Sequence, residues 1–173
     1  MSTEDNELRH KFLAEIGRLV VAYSNAENAL IVIFVELGNA PLAVRVAQFH
    51  ARSSFAEKLA ITDEAVLEAK LDQKWKRLSE CLTRYRKVRN AVAHSQMVPD
   101  VENKRRVYVL RNPTFTPHRD EDSIRVEHIS EAAAAIEGVV AVLWKVRGSL
   151  GRVGRTDNRF TTETPVREAT KRG

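Results

Sequence analysis

The stretch "YRKVRNAVAHSQMVPD", Tyr85–Asp100, has the pattern of the last turns of an amphipathic helix that stops before Pro99. We expect this helix to run from about Asp72 to about Gln96. On a helical wheel, Arg89 falls near the middle of the arc formed by the apolar positions of the helix. Burying an unpaired guanidinium is prohibitively costly, so we expect Arg89 to pair with a carboxylate or to border a cavity or an interface.

The predicted first helix, from about Glu4 to Gly38, offers such a carboxylate. Its apolar face is formed by Leu8, Phe12, Ile16, Leu19, Val20, Tyr23, Leu30 and Phe34. Glu27 lies within the same face. Because each of two long helices carries one charge in an apolar stripe, and the two charges are opposite, the sequence predicts that Glu27 pairs with Arg89. A buried structural pair with no role in catalysis is the alternative interpretation.

Two shorter helices are predicted between these long ones. The first follows the "GNAP" stop at residues 38–41 and covers "LAVRVAQF". The second begins at "SSFAEKL", where Ser54 and Glu57 form a capping box, and continues to about Ala69.

A change of pattern follows the fourth helix. Arg105–Asn112 and Ser123–His128 are short, β-branched and separated by a turn-rich loop, which predicts a two-stranded hairpin. A last helix is predicted from Ser130, its expected N-cap, to about Arg147. The predicted fold class is therefore all-α: a bundle of four to five helices with a small β-hairpin before the last helix.

The composition is that of a globular protein, with 43% apolar and 29% charged residues in a chain of 173. The polar, acidic start, "MSTEDNELRH", argues against a secretory or mitochondrial leader. The longest apolar runs are far shorter than the roughly 20 residues that span a bilayer. The single cysteine, Cys81, excludes an intramolecular disulfide. We therefore expect a cytoplasmic protein with no membrane partner.

The net charge of +5 is concentrated at the C-terminal end. Residues 145–173 carry eight Lys and Arg against three Asp and Glu, whereas the preceding 144 residues carry 20 of each. We predict one domain over residues 1–150 and a basic tail, disordered or dependent on a partner, over residues 151–173. Within the domain, Lys74–Arg89 contains seven cations and one acid, Glu80. This patch either attracts phosphates or is a solvated helix face.

Asn90 and His94 complete, with Arg89, a set of side chains suited to phosphodiester chemistry. They are four residues apart and so share a helix face, rotated away from Arg89. The negative end of the helix favours a protonated imidazole at His94, and histidine exchanges protons near neutral pH. A guanidinium holds a phosphate, and an amide donates a hydrogen bond to it. The alternatives are a histidine that bonds free helix carbonyls and an ordinary surface asparagine.

The segment "RNAVAH", Arg89–His94, resembles the R-x4-6-H motif of the HEPN superfamily, in which a polar residue usually follows the arginine. The order of the helices, the late hairpin and the segment "YSNAENAL" of the first helix are similar as well, so that the resemblance covers about Glu7–Gly148. It implies a homodimer in which two copies of the motif face each other across a cleft. Many members are metal-independent endoribonucleases, often the toxin of a toxin–antitoxin or phage-defence pair.

By matching position, the resemblance implies that Arg89 and His94 are catalytic and that Asn90 is auxiliary. Arg86 and Lys87, beside the motif, are the expected contacts to RNA. The predicted reaction is attack of an RNA 2′-hydroxyl on the adjacent phosphorus. One His94 accepts the proton, the second copy protonates the 5′ leaving oxygen, and Arg89 neutralises the phosphoryl oxygens. An antitoxin or another partner protein is a further expected partner.

Other members of the superfamily keep the fold as catalytically inactive interaction or nucleotide-binding modules, and this is the alternative for the present chain. The sequence contains no glycine-rich phosphate loop, nucleophile elbow or zinc pattern. The histidines outside the motif have no metal-ligand spacing; they are His10, His50, His118 and His128. We therefore expect neither a metal nor a cofactor.

Overall fold

Five helices and a small antiparallel sheet make up the part of the chain described by the computed structural model, residues 3–102, 105–111 and 123–153. The elements are α1 Thr3–Leu37, α2 Leu42–His50, α3 Phe55–Glu68, α4 Asp72–His94, β1 Gln96–Glu102, β2 Arg105–Arg111, β3 Ile124–Arg125 and α5 Val126–Val153. A mainly helical fold with a small β structure before its last helix is thus confirmed. The last helix continues past its predicted end near Arg147 to Val153, so it includes the first three residues of the predicted tail, 151–153. The predicted loop of residues 113–122, and the rest of the predicted tail, lie outside the described residues.

Four of the helices form a bundle in which α1 packs against α3 and α5, and α4 packs against the same two helices on the opposite side. The rings of Tyr23 and Phe55 meet edge to face, with centroids 5.1 Å apart. One turn further along each helix, Glu27 pairs with Lys58, so α1 and α3 run in the same direction. α4 returns antiparallel after a short connection.

α5 runs parallel to α1 and is joined to it by ion pairs at two levels. Arg18 binds Glu137 with two hydrogen bonds of 2.7 and 2.5 Å, and Arg147 binds Glu36 at 2.9 Å. Along α5 the buried residues recur every three or four positions and face the core; they are Ile129, Ala132, Ala133, Ile136, Val139 and Leu143. This spacing explains why α5 is the principal neighbour of α1.

The core face of α1 agrees with the predicted face at most positions. Phe12, Leu19, Tyr23, Leu30 and Phe34 are buried. Three members of the predicted face are not fully buried: Ile16 is half-buried, Val20 is 49% exposed and Leu8 is 36% exposed. Val20 precedes Tyr23, and α3 begins only at the level of Tyr23, so α3 does not cover Val20.

α1 also passes a simple test for a membrane-crossing helix among the described residues. It is 35 residues long and contains an 18-residue window with a mean hydropathy of 1.4. In the bundle, 44% of that window is buried against other parts of the chain. The core helix of a soluble protein and a signal sequence pass the same test.

Local sequence signals define both ends of α3. At its start, the hydroxyl oxygen of Ser54 accepts the backbone N–H of Glu57, and the Glu57 carboxylate accepts the backbone N–H of Ser54, as the capping box predicts. At its end, the N–H of Leu71 donates to the carbonyl of Val66, and the N–H of Lys70 donates to the carbonyl of Leu67. This is a Schellman motif, in which Lys70 adopts the left-handed conformation with φ 57°.

Asp63 links α3 to α4. Its carboxylate accepts a hydrogen bond of 2.5 Å from the indole N–H of Trp75 and one of 3.0 Å from the hydroxyl of Ser79. Because Trp75 is 5% exposed, the bond satisfies an indole N–H that would otherwise be buried without a partner. These contacts fix the antiparallel register of the two helices.

The β structure differs from the predicted hairpin. The sheet has three strands in the order β1-β2-β3, and the long antiparallel pair is formed by β1 and β2. β1 was not predicted, because Pro99 indicated only a helix stop. Pro99 is tolerated opposite Tyr108 because β1 is an edge strand, where a missing N–H breaks no ladder. The second predicted strand is reduced to β3, and Val126–His128 belong to α5, which therefore begins before Ser130.

Candidate functional site

The candidate residues lie on the last two turns of α4, and Arg89, Asn90 and His94 are all exposed. The helix ends at Ser95, which has extended backbone angles and whose N–H donates to the carbonyl of Ala91 at 2.8 Å. His94 is thus the last helical residue, as its place before the stop predicted.

Arg89 and Asn90 are in direct contact. The Nη1 atom of Arg89 donates a hydrogen bond of 3.2 Å to Oδ1 of Asn90. His94 follows Asn90 by four residues and therefore lies one turn further on the same face. The long arginine side chain thus reaches around the helix toward the face that carries the other two residues. One chain brings a guanidinium, an amide and an imidazole to one exposed helix end.

Arg89 is exposed although it lies on the apolar face of α4. It follows Leu82 by seven residues, which is two helical turns, and Leu82 is completely buried. The hydroxyl of Tyr23 donates to the carbonyl of Leu82 at 3.1 Å, and Tyr23 meets Phe55 at the start of α3. The last turns of α4 therefore extend beyond the first residue of α3, so α3 does not cover Arg89.

The predicted pair between Glu27 and Arg89 is wrong. Glu27 forms its ion pair with Lys58 of α3. The reason is the axial level of the two residues. Glu27 lies one turn beyond Tyr23 in one direction, and Arg89 lies two turns beyond Leu82 in the opposite direction. At 1.5 Å per residue the two positions are separated by about 16 Å along the bundle.

α1 also has exposed residues on the side of the bundle that α3 does not cover. Leu13, Val20 and Glu27 follow one another at intervals of seven residues, which is about two helical turns. The three side chains therefore lie on the same face of α1. α3 covers Glu27 through Lys58, whereas Leu13 is 44% exposed and Val20 is 49% exposed. We call the side that α3 leaves uncovered, with Leu13, Val20 and Arg89, the open face. It combines two exposed apolar side chains of α1 with the exposed arginine of α4.

Tyr23 and its neighbours show the electrostatic influence of Arg89. Burial raises the pKa of the Tyr23 hydroxyl above its ordinary value, and the nearby Cys81 thiol adds to the rise. The positive charges of Arg89 and Arg86 oppose it, which places both guanidinium groups near this part of the core. Burial also raises the pKa of Cys81, so its thiolate is disfavoured.

The two predicted RNA contacts lie in different surroundings. Lys87 is exposed on the outer face of α4, on the same side as His94, which follows it by two turns. Arg86 is half-buried and lies nearer to Tyr23. Of the two, Lys87 is the one that is freely accessible to a large ligand.

Tyr85 is a further polar group near the candidate site that sequence reasoning missed. Its hydroxyl donates a hydrogen bond of 2.6 Å to the carboxylate of Glu131 on α5. This hydrogen bond is the largest of the effects that raise the pKa of Tyr85 above its ordinary value. The contact joins residues 46 positions apart, so no local pattern indicates it. It ties the last turns of α4 to the start of α5.

The described residues offer no cluster of metal ligands. Among them, no group of three or more His, Cys, Asp or Glu side chains could hold a metal ion. Three cavities are lined by described residues: two beside α1 and the start of α5, and one between α2 and α3. Arg89, Asn90 and His94 line none of these three cavities and lie on an exposed helix surface.

Comparison with known proteins adds no relative: no family model, no curated protein and no solved structure matches the chain.

Proposed function

We propose that this protein is a HEPN-like, homodimeric, metal-independent endoribonuclease of the cytoplasm, with a role as a toxin or in defence. One observation carries the proposal. Arg89 is hydrogen-bonded to Asn90, and His94 lies one turn further on the same exposed end of a basic helix. A guanidinium, an amide and an imidazole within about one and a half helical turns are the groups that cleavage of a phosphodiester by its own 2′-hydroxyl requires.

Each side chain has a distinct role in this reaction. Arg89 uses the N–H groups not engaged by Asn90 to neutralise the charge that grows on the phosphoryl oxygens. Asn90 holds that guanidinium and donates its amide N–H to the same phosphate. His94 accepts the proton of the attacking 2′-hydroxyl, and His94 of the partner subunit protonates the 5′ oxygen as its bond to phosphorus breaks. The products are a 2′,3′-cyclic phosphate and a 5′-hydroxyl.

The open face supports the homodimer in this proposal. Leu13 and Val20 of α1 expose apolar surface, and apolar surface of this kind is stabilised when a partner covers it. A second copy that packs there by twofold symmetry brings a second Arg89 and a second His94 to the same region. The same contact excludes water from the exposed guanidinium and strengthens its interaction with phosphate.

The proposal is tested by incubating the purified protein with single-stranded RNA in excess EDTA and identifying the new ends. We expect fragments with 2′,3′-cyclic phosphate and 5′-hydroxyl ends. His94→Ala and Arg89→Ala should each abolish cleavage while retaining the melting temperature of the wild type. Lys145→Ala, far along α5, is a matched single substitution that should leave cleavage unchanged.

Two results would contradict the proposal. Fragments with 5′-phosphate ends require a different chemistry, in which water or hydroxide attacks the phosphorus. Equal cleavage by wild type and His94→Ala would identify a contaminating ribonuclease. Slow growth of the expressing host, relieved by His94→Ala, would add support for a toxin.

A catalytically inactive, dimeric interaction or nucleotide-binding module is the second candidate, and one observation favours it. Within the described residues no hydrogen bond orients the imidazole of His94, whereas a catalytic base is normally oriented by a further group. Sedimentation of Val20→Asp separates the two candidates. In the ribonuclease, loss of the dimer removes cleavage; in the inactive module, the wild type dimerises without cleaving RNA.

A further inference from the structure

The outer face of α4 carries a row of unpaired cations. Lys76 and His94 are 18 residues apart, which is five full turns, so they lie on the same line along the helix, with a separation of about 27 Å. The exposed side chains along this line and beside it are Lys76, Arg77, Glu80, Thr83, Arg84, Lys87, Asn90 and His94. We call this surface the outer stripe. It holds four Lys and Arg residues and one acid.

These cations contrast with other surface arginines of the molecule. Arg18, Arg111 and Arg147 each pair with a carboxylate of another element. No ion pair involves the four cations of the outer stripe within residues 3–102, 105–111 and 123–153. No carboxylate of the described residues neutralises these charges, which leaves them available to an external anion.

The chemistry of the outer stripe selects the kind of partner. Trp75 and Tyr85, the large aromatic side chains of α4, bond to Asp63 of α3 and Glu131 of α5, and the guanidinium of Arg84 lies 5.4 Å from the centroid of the Tyr85 ring. Protein partners and bilayers both use apolar anchors, and the outer stripe has none of them. A polyanion whose charges repeat along its length fits a straight row of cations without any apolar contact.

We propose that the outer stripe binds the phosphate backbone of single-stranded RNA and leads the strand to His94. The choice of RNA rests on the proposed function. Duplex RNA is a poorer fit, because its major groove is too deep and narrow to admit a helix. Because the stripe has no aromatic ring on which a base can stack, the binding is independent of base sequence.

The test measures binding of a fluorescein-labelled single-stranded RNA to full-length His94→Ala by fluorescence anisotropy in EDTA. The stripe variant adds Lys76→Gln, Arg77→Gln, Arg84→Gln and Lys87→Gln. The control variant adds Arg9→Gln, Lys11→Gln, Arg52→Gln and Lys70→Gln, four exposed cations outside α4. Both variants change the net charge by the same amount, and circular dichroism verifies that both remain folded.

We expect the stripe variant to lose at least tenfold in affinity and the control variant to lose less than threefold. The slope of log K against log salt concentration should fall in magnitude by about 3 in the stripe variant, because each phosphate contact to a single strand contributes about 0.7. Two single-stranded RNAs of different sequence should bind equally, and an RNA duplex should bind more weakly.

Three outcomes would overturn the proposal: equal losses in both variants, no binding of RNA by His94→Ala, or binding only to vesicles of anionic lipid. The proposed function has a separate failure. If the outer stripe binds RNA as described but the wild type does not cleave it, the surface is an RNA-binding site on a catalytically inactive module. If the wild type cleaves RNA and the stripe variant binds as well as the control, only the inference about the stripe fails.

Discussion

The Nη1 atom of Arg89 donates a hydrogen bond to Oδ1 of Asn90, its neighbour in the chain, at 3.2 Å. Both side chains are exposed, and within the described residues Arg89 forms no ion pair. The guanidinium is thus held at the surface of α4 by a single neutral partner. Because the side chain removes no buried contact when it is truncated, its contribution to folding is small.

Arg89→Ala should therefore leave the fold intact. A surface substitution that removes no buried contact changes the free energy of unfolding by no more than about 0.5 kcal/mol. Urea denaturation of wild type and variant, at a protein concentration where the oligomeric state is known, measures the difference. A loss of several kcal/mol would show that the arginine supports the bundle, and the interaction module would then become the better interpretation.

A double-mutant cycle should identify Lys58 as the partner of Glu27. The side chain of Lys58 is 14% exposed and that of Glu27 is 37% exposed, so the pair is only partly screened by solvent. We expect a coupling free energy of about 0.5–1 kcal/mol between Glu27→Gln and Lys58→Met. Glu27→Gln and Arg89→Ala should be additive within about 0.3 kcal/mol. Strong coupling in the second cycle would contradict the structure.

Lys70→Gly should stabilise the protein. Lys70 has a φ of 57°, a conformation that costs an L-residue about 1–2 kcal/mol and costs glycine very little. Part of that gain is offset by the greater freedom of glycine in the unfolded chain, which leaves a net stabilisation of about 1 kcal/mol. Thermal unfolding measures it. Lys70→Ala, which removes the same charge but keeps a β-carbon, should show no such gain.

The contribution of Glu57 to stability should depend on pH. Hydrogen bonds from the backbone of Ser54 and from Ser53 hold the pKa of the Glu57 carboxyl below its ordinary value. The unfolded chain thus binds this proton more tightly than the folded chain does. The stabilisation is present above the pKa of the unfolded chain and is lost as the pH falls through the pKa of the folded state.

Wild type and Glu57→Gln should accordingly differ most in melting temperature near neutral pH and converge in acid. Thermal unfolding of both proteins from about pH 7 to about pH 3 follows the difference through the range in which carboxyl groups titrate. A difference that stays constant over this range would show that the carboxylate charge plays no part in the cap.

The features of the fold that depend on neighbouring residues could be predicted from the sequence. The capping box of Ser54 and Glu57 was predicted and is present, because both hydrogen bonds join groups within four residues. The limits of α1 and α4 were predicted within a few residues for the same reason. β1 was missed, because a strand at Gln96–Glu102 becomes apparent only through its pairing with β2.

In the candidate site, too, the features that depend on neighbouring residues could be predicted, and those that depend on distant residues could not. The presence of Arg89, Asn90 and His94 at the end of a helix was evident from the sequence. Their exposure, and the Arg89–Asn90 bond, were not. The sequence pattern also indicated that Glu27 faces the inside of the bundle, but it could not indicate that Lys58 lies opposite.

The sequence by itself determined the direction in which each side chain leaves its helix, because every residue advances the helix by about 100°. Arg89 does share the face of Leu82, and Val20 does share the face of Glu27. Only the tertiary structure decided which of these positions are covered. That depends on where α3 begins along the axis of the bundle, which is set by the contact of Phe55 with Tyr23. Because this contact joins residues far apart in the chain, helical periodicity contains no information about it.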